Sequence, residues 1–227
     1  MTNRFDRIDV IVPVLNEEDM VRTFYERISR VPLPLHFIFI DNASTDRTRE
    51  IVRTFPGSTL IEHEKNEGYG GSIIDGIAHS TAEAFVIIDA DCEYPPEAIP
   101  DIVAALERSP VVYASRFLEA KGLSMPFMRK VGNRTITALF NLLFRQNLTD
   151  LYTGCKALRK SAVDGLLLER KGFEHVLELA ARISLRGVSI SEVPVAYELR
   201  RVGTSKMSHV TETLKFLYLL LRYRLGG

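Results

Sequence analysis

Two carboxylates stand one residue apart at the end of a hydrophobic run, in the stretch VIIDADCEYPP of residues 86–96. Side chains alternate along a strand, so an extended backbone would point Asp89 and Asp91 to the same side, toward one cation. Mg²⁺ and Mn²⁺ favour oxygen ligands, and proteins often hold them with one or two acids plus substrate phosphates. The pair therefore indicates a cation site that serves a phosphate, whereas an acidic loop after a strand is the purely structural interpretation.

Basic residues elsewhere could meet the same anion. The stretch RRVGTSK offers a flexible loop with charged donors for a diphosphate, and a second basic cluster surrounds SMPFMRKVGNR. Because 29 lysines and arginines balance 29 acids, no overall field favours nucleic acid, and two clusters suggest two locally bound anionic groups. Solvated loop charge is the alternative for each. The clusters are Arg200, Arg201 and Lys206, and Arg116, Arg129, Lys130 and Arg134.

A glycine-rich stretch, Gly68-Tyr69-Gly70-Gly71, opens a predicted helix and could bind phosphate at the helix N-terminus. It matches neither the dinucleotide-binding pattern nor the P-loop, and it follows the third strand rather than the first. The first strand ends in PVLNEE, without glycine, which disfavours a dinucleotide-binding Rossmann domain. A tight turn with close packing is the simpler interpretation of these glycines.

The elements that would position these residues follow from the hydrophobic pattern. Short runs rich in β-branched and aromatic residues alternate with helical patterns, which predicts an α/β fold with a mostly parallel, Rossmann-like sheet and helices on both faces. The predicted strands are residues 8–15, 35–41, 58–63, 84–90 and 111–116, and the predicted helices are residues 17–31, 46–55 (capped by Ser44 or Thr45), 71–81 and 96–109.

Polar side chains follow four of the five predicted strands. Ligands of open α/β sheets sit beyond the carboxyl ends of the strands. Several polar strand ends at one rim are harder to explain structurally than any one of them, so they predict a ligand site there. The four ends are Asn16-Glu17-Glu18, Asp41-Asn42, Asp89-Ala90-Asp91 and Ser115-Arg116.

The second half breaks the alternation. Residues 117–134 are predicted to be irregular and basic, and residues 135–144 to form a helix. A further helix at residues 173–187 would close on Gly187 as its C-cap. The last β-rich run, VSISEVPVAYEL, predicts a strand pair or an edge strand, because Pro194 does not suit a central strand.

The chain of 227 residues predicts one main domain, residues 1–207, and a C-terminal helix, residues 208–227. Six consecutive apolar residues in that helix, Phe216 to Leu221, are too few to cross a bilayer, which takes about 20. They predict a helix packed on the domain or on a second copy, or an amphipathic helix at a membrane interface.

The two cysteines and the N-terminus bear on the compartment. Cys92 and Cys155 are far apart and lack metal-ligand spacing, so neither a disulfide nor a zinc site is expected. The N-terminal stretch carries acids and becomes apolar only in a predicted strand, which argues against a cleaved signal. A reducing, cytoplasmic location is the expectation.

Several stretches in order resemble family 2 glycosyltransferases of the GT-A fold, and within that family the polyprenol-phosphate hexosyltransferases, the group of the dolichol-phosphate mannose synthases. The match runs from about Ile8 to Lys206. The resemblance implies inverting, metal-dependent transfer of a hexose from a GDP-mannose or UDP-glucose type of donor to a polyprenyl phosphate. The stretches are VIVPVLNEE, IDNASTDRT, KNEGYGGSI, VIIDADCEYPPEAIP, ASRF, DLYTGCKALRKSAV and RRVGTSK.

The resemblance also implies site residues. Asp89 and Asp91 match the Mg²⁺- or Mn²⁺-binding motif, with Glu93, in a frequent glutamine's place, near the cation. The segment with Pro13 would cradle the base, Asp41 would hydrogen-bond it, and the loop with Arg201 would close on the diphosphate. The donor set is Pro13, Leu15, Glu17, Asp41, Asn42, Gly68, Ala90, Arg201, Ser205 and Lys206.

On the acceptor side, Arg116, Arg129 and Arg134 fall where relatives hold the lipid phosphate. Asp150 matches an acid that serves as general base in other members of the wider family, and Glu178 matches a glutamate of the following helix. Relatives that anchor themselves carry membrane helices after this point, so the resemblance implies peripheral association with the cytoplasmic face of a membrane. The expected anchor is the C-terminal helix, a small membrane subunit or a homo-oligomer.

Some residues depart from the family pattern. Asn42 replaces a frequent aspartate, and His175 and Val176 replace frequent aromatic and glutamine residues, which leaves the sugar and the base open. Two other functions compete with the main hypothesis. One is a soluble family 2 enzyme that acts on a sugar or protein hydroxyl, for which Asp150 would be essential. The other is a catalytically silent scaffold that binds nucleotide sugar.

Overall fold

The computed structural model describes residues 4–118, 127–196 and 209–226. Its strands are β1 (Ile8–Val14), β2 (Leu35–Asp41), β3 (Thr59–Glu62), β4 (Ala84–Ile87), β5 (Val111–Ser115), β6 (Lys156–Arg159) and β7 (Ser191–Pro194). They form one sheet in the order β3-β2-β1-β4-β6-β5-β7. β6 is antiparallel to both of its neighbours, and the other pairings are parallel. The predicted mostly parallel α/β sheet is confirmed.

Helices cover both faces of the sheet because the strands alternate their buried side chains between two apolar layers. Val10 and Val12 of β1 join the layer under α1 and α4, whereas Ile11 joins the layer under the remaining long helices. The helices are α1 (Val21–Ile28), α2 (Thr48–Val52), α3 (Gly68–His79), α4 (Ile99–Ala105), α5 (Phe127–Phe144), α6 (His175–Leu185) and α7 (His209–Leu225).

One prediction for the second half was wrong, and one strand was missed. Residues 127–134, predicted to be irregular, form the first turns of α5. β6 was not predicted at all, because its four residues include the charged Lys156 and Arg159, which obscure a strand pattern. Lys156 is nevertheless only 2% exposed, and its register partner is Ile87 at the end of β4.

Two predicted helix ends have different outcomes. Gly187 follows α6 with φ of +75°, a left-handed value that favours glycine, as predicted for the C-cap. The predicted caps of α2 were wrong, because Asp46 rather than Ser44 or Thr45 accepts a hydrogen bond from the Thr48 N–H, at 2.9 Å. The Ser44 hydroxyl instead accepts from the Asn16 N–H at 3.0 Å and joins two strand ends.

The C-terminal helix α7 packs against α5 and α6. Phe216, Leu220 and Tyr223 are buried against the domain, whereas Tyr218 and Leu221 are 62% and 55% exposed. The helix is therefore packed on its own domain with one face and leaves apolar side chains on the other. Within the described ranges, no helix is long and apolar enough to span a membrane.

Candidate active site

A cleft of about 510 Å³ lies at the carboxyl ends of the central strands. Its walls include Glu17 after β1, Asn42 after β2, Asp89 and Asp91 after β4, and Arg116 after β5. The structure thus brings residues of all four polar strand ends to one place. Of the predicted donor residues, Pro13, Leu15, Glu17, Asn42, Gly68 and Ala90 line this cleft, and Glu93 lines it as well.

The two acids reach the cleft by a turn rather than by a strand. β4 ends at Ile87, and the chain turns through Ala90 and Asp91 to Cys92, whose φ of +59° is left-handed. The prediction of an extended backbone was therefore wrong, although both carboxylates face the same cleft. Asp91 Oδ1 accepts a hydrogen bond from the Glu93 N–H at 3.0 Å, which fixes the turn.

The Asp89 carboxyl is held between opposing influences. Burial and the neighbouring Asp91 carboxylate raise its pKa to about 7, while the Lys156 ammonium and a hydrogen bond from Tyr69 oppose the rise. Gly154 permits this arrangement, because a Cβ at that position would lie 2.4 Å from Asp89 Oδ2. The Thr-Gly turn at residues 153–154 therefore forms the floor beneath Asp89.

These acids fit a divalent cation. Two like charges crowd a partly enclosed site, and the raised pKa of Asp89 shows that one negative charge there is poorly compensated. Within residues 4–118, 127–196 and 209–226, no group of three or more histidine, cysteine or acidic side chains could hold a metal ion. A cation held by Asp89 and Asp91 would take its remaining ligands from water and from a substrate, as diphosphates commonly supply.

At the β2 end, the side chains form an internal polar network. Asn42 donates to Asn66 Oδ1 at 3.0 Å and accepts from the Glu67 N–H at 2.8 Å. An aspartate at position 42 could not donate this hydrogen bond to Asn66 Oδ1. Asp41 lies behind the cleft lining, where its Oδ2 accepts from Arg49 at 2.7 Å. Its Oδ1 is buried without a hydrogen bond among the described residues, and Asp41 does not line the cleft, so its contact with a base stays a prediction.

The glycine-rich turn works as a packing device, which supports the simpler interpretation. Gly68 has φ of +82°, and a Cβ there would lie 2.2 Å from the Lys171 carbonyl oxygen. A Cβ at Gly70 would lie 2.2 Å from the Arg170 carbonyl oxygen. The turn thereby lets the segment before α6 close over it, and an ion pair between Lys171 and Glu67 ties the two together.

That segment adds an aromatic wall to the cleft. Tyr69 and Phe173 stack with ring centroids 5.4 Å apart and an angle of 15° between their planes. Glu178, fully buried, accepts from the Glu169 and Arg170 N–H groups at 2.9 and 2.7 Å and so holds the segment to α6.

The two departures in α6 differ in position. Val176 lines the cleft, whereas His175 is 1% exposed. Burial and the Lys156 charge lower the pKa of His175 to about 3. His175 thus packs behind the wall as a neutral ring.

Arg116 also lines the cleft and is paired with Asp150. Its Nε and Nη2 donate to Asp150 Oδ2 and Oδ1 at 2.6 and 2.9 Å, a two-point ion pair that is almost fully buried. Asp150 is 0% exposed and lies behind Arg116 rather than on the cleft surface. Arg134 stands nearby, because its guanidinium and that of Arg116 both lie over the Phe117 ring, at 5.7 and 5.8 Å.

The remaining predicted residues are only partly described. Arg129 belongs to the first turn of α5, and its side chain lies outside the described part of the structure. Arg201, Ser205 and Lys206 also lie outside the described residues, so their roles stay predictions.

Some residues of the site were not predicted, namely Tyr69, Phe173, Lys156 and Glu192. Tyr69 stands in the conspicuous glycine stretch, whereas Lys156 and Glu192 have no local signal, since only the sheet brings them near the cleft.

Comparison with known proteins gives the family and the fold. Residues 9–167 match the family model described as glycosyl transferase family 2. A dolichol-phosphate mannosyltransferase of Pyrococcus furiosus is 28% identical over 96% of this chain, which spans only 64% of that relative's length. An uncharacterized glycosyltransferase of Mycobacterium tuberculosis is 27% identical over 89% of this chain and 90% of its own.

Solved structures agree with the predicted GT-A fold. Glucosyl-3-phosphoglycerate synthase from Mycobacterium tuberculosis, solved with Mn²⁺, UDP-glucose and phosphoglyceric acid, superimposes with a TM-score of 0.68 at 19% identity, over 96% of this chain and 79% of that chain. A crystal structure of a mycobacterial protein gives a TM-score of 0.74 at 18% identity, over 96% and 74% of the two chains. The predicted fold class is confirmed.

Proposed function

The chain belongs to glycosyltransferase family 2, and we propose that it transfers a hexose from a nucleotide diphosphate sugar to a polyprenyl phosphate, with inversion at the anomeric carbon. The observation that carries the proposal is one cleft that is lined both by two carboxylates, Asp89 and Asp91, and by the largely buried Arg116. Such a cleft suits a cation-bound diphosphate on one side and an anionic acceptor on the other. The dolichol-phosphate mannosyltransferase relative supports this choice of acceptor.

On the donor side, Asp89 and Asp91 would hold Mg²⁺ or Mn²⁺, which neutralises charge on a departing nucleoside diphosphate. The polar turn around Asn42, which lines the cleft, would receive the base, and Asp41 directly before it is proposed to contact the base as the sequence predicts. The aromatic pair of Tyr69 and Phe173 offers an apolar face to the donor. Arg201, Ser205 and Lys206 are proposed to close on the diphosphate, as the sequence predicts.

On the acceptor side, Arg116 is proposed to bind the phosphate, together with Arg129 and Arg134. A phosphate monoester is already anionic near neutral pH, so its attack on the anomeric carbon does not require a strong base. This fits the pairing of Asp150 with Arg116, which leaves the carboxylate away from the cleft.

The lipid acceptor requires access to a membrane surface. The outer face of α7 carries exposed apolar side chains, Tyr218, Leu221 and Leu225, beside the exposed Arg222 and Arg224. Apolar and basic side chains on one exposed face suit an interfacial helix on anionic lipid. We therefore include peripheral membrane association in the proposal.

A transfer assay tests the proposal. Purified protein is incubated with Mn²⁺, a panel of GDP- and UDP-sugars, and polyprenyl phosphate, polyprenol or phosphoglyceric acid as acceptor, and the nucleoside diphosphate released is measured. We expect release that requires both the metal and polyprenyl phosphate. Release with polyprenol or phosphoglyceric acid, and none with polyprenyl phosphate, would replace the proposed acceptor. No release with any pair would favour a silent scaffold.

A further inference from the structure

The Asp150 carboxylate is saturated with hydrogen bonds. Its Oδ2 accepts from the Arg116 N–H at 3.2 Å and from Arg116 Nε at 2.6 Å. Its Oδ1 accepts from Arg116 Nη2 at 2.9 Å and from Asn133 Nδ2 at 3.1 Å. A carboxylate has about four acceptor sites, so these four bonds leave none to receive a proton from an incoming hydroxyl group.

A second carboxylate holds Asp150 in place from behind. Glu192 of β7 accepts from the Thr149 N–H and Oγ1 at 2.8 and 2.9 Å through Oε2, and from the Asp150 N–H at 2.9 Å through Oε1. The Thr149 hydroxyl also lies 2.5 Å from that of Ser115, the residue before Arg116. Glu192 therefore fastens residues 149–150 to the end of β5, where the arginine leaves the sheet.

Arg116 depends on Asp150 for its charge partner and its orientation. Arg116 is a buried cation, with a side chain 10% exposed, and a buried charge without its partner is strongly unfavourable. Its planar guanidinium donates to both Asp150 oxygens, which fixes its orientation as well as its charge.

We propose that Asp150 and Glu192 are positioning residues, which together hold the Arg116 guanidinium at the cleft wall where the acceptor phosphate binds. This inference rests on the proposed function, because it assumes an anionic acceptor at Arg116. It assigns Asp150 a role other than general base, and it gives a role to Glu192, which does not line the cleft.

Binding without chemistry tests the inference. Isothermal titration calorimetry measures the affinity for geranyl phosphate, with geraniol as the phosphate-free control, in the absence of donor. The proteins are the wild type, Asp150→Asn, Glu192→Gln and the control Glu97→Gln. Glu97 makes a comparable two-point pair with Arg27, at 3.0 and 2.8 Å, on the surface away from the cleft.

We expect the affinity of Asp150→Asn for geranyl phosphate to fall by about tenfold or more. The variant keeps only one oxygen to accept from the Arg116 guanidinium, and hydrogen bonds between charged groups are strong, so the guanidinium is held less firmly. Glu192→Gln keeps one acceptor oxygen, so its affinity should fall less, by roughly threefold to tenfold. Glu97→Gln should match the wild type. In transfer assays, Asp150→Asn should raise KM for the phosphate acceptor, leave KM for the donor unchanged, and keep the wild-type pH profile of kcat.

The contrary outcomes are distinct. Unchanged affinity with a collapsed kcat and a lost basic limb in the pH profile would make Asp150 a general base and overturn the inference, while the proposed acceptor stands. Tighter binding would mean that Asp150 only opposes the acceptor's charge, which also overturns it. Should Asp150→Asn not fold, wild-type affinity in Glu192→Gln would overturn it instead. Wild-type protein that binds geranyl phosphate no better than geraniol would refute the proposed acceptor, and the inference with it.

Discussion

The two walls of the cleft carry charge in opposite ways. In the acid wall, Asp89 and Asp91, burial and the charge of Asp91 raise the pKa of Asp89 to about 7, and Lys156 only partly opposes the rise. The arginine wall, Arg116 and Asp150, holds a buried pair whose charges compensate each other. The acid wall thus lacks a positive charge that a bound cation would supply. The arginine wall already has its compensating charge within the protein.

The comparison predicts that the acid wall dominates turnover. Asp91→Ala should lower kcat by about a hundredfold or more, equivalent to roughly 3 kcal/mol, because the charge of the departing diphosphate loses its stabilisation. The fold should persist, since the side chain lies in the cleft. Nucleoside diphosphate release, with circular dichroism as the check on folding, measures this. Asp101→Ala on the exposed surface of α4 is the control and should keep wild-type activity.

Replacing the acid of the arginine wall should reduce the stability of the protein. Asp150→Asn removes the charge that compensates buried Arg116, so the free energy of unfolding should fall by about 3 kcal/mol. Urea denaturation measures the change. Glu97→Gln, at an exposed pair, should change it by less than about 1 kcal/mol. A stability equal to the wild type would mean that the two walls do not differ as described.

On the acid wall, by contrast, Asp89→Asn should increase the free energy of unfolding. The folded pKa of about 7 exceeds the value of 3.8 expected for an unfolded chain, so ionisation of Asp89 disfavours the folded state as pH rises from about 4 to 7. Without metal at pH 8, the variant should therefore be more stable than the wild type, by no more than about 4 kcal/mol, and the gain should vanish below pH 4. Thermal unfolding at both pH values tests this, and a loss of stability at pH 8 would contradict it.

The smallest effect concerns the glycine turn beside the acid wall. Gly70→Ala would force a Cβ against the Arg170 carbonyl oxygen and should cost about 1–2 kcal/mol of stability. Gly132→Ala in α5 is the matched control, because nothing lies within 4 Å of its added Cβ, and it should gain up to about 1 kcal/mol. Urea denaturation of both compares them. Equal effects would remove the packing explanation for the turn.

The acid wall was largely predictable from the sequence, and the arginine wall was only partly so. Asp89 and Asp91 follow a strand with a strong hydrophobic pattern, so their place at the sheet rim follows from local rules. Arg116 was predicted in the same way. Its partner Asp150 is 34 residues away in the sequence, and Glu192, which holds Asp150, is 42 residues beyond Asp150. These contacts therefore depend on tertiary structure alone.

The missed elements have a related cause. β6 is a short antiparallel strand inserted between β4 and β5, and its order in the sheet is not encoded in four residues. The start of α5, FMRKVGNR, contains a glycine and three basic residues, which hide its helical period. Both elements support the arginine wall, since β6 pairs with β5 and α5 supplies Asn133 to Asp150. The arginine wall was therefore less predictable from the sequence than the acid wall.

The most direct test of the separation between the walls is a crosswise binding measurement. Calorimetry gives the affinities of Asp91→Ala and Arg116→Ala for two ligands, a nucleoside diphosphate with Mn²⁺ and geranyl phosphate. The account predicts that Asp91→Ala loses the metal-dependent nucleotide affinity and keeps the prenyl phosphate affinity, and that Arg116→Ala does the reverse. If Arg116→Ala weakens only the nucleotide, or if each variant loses both ligands while folded, the account of two separate walls is wrong.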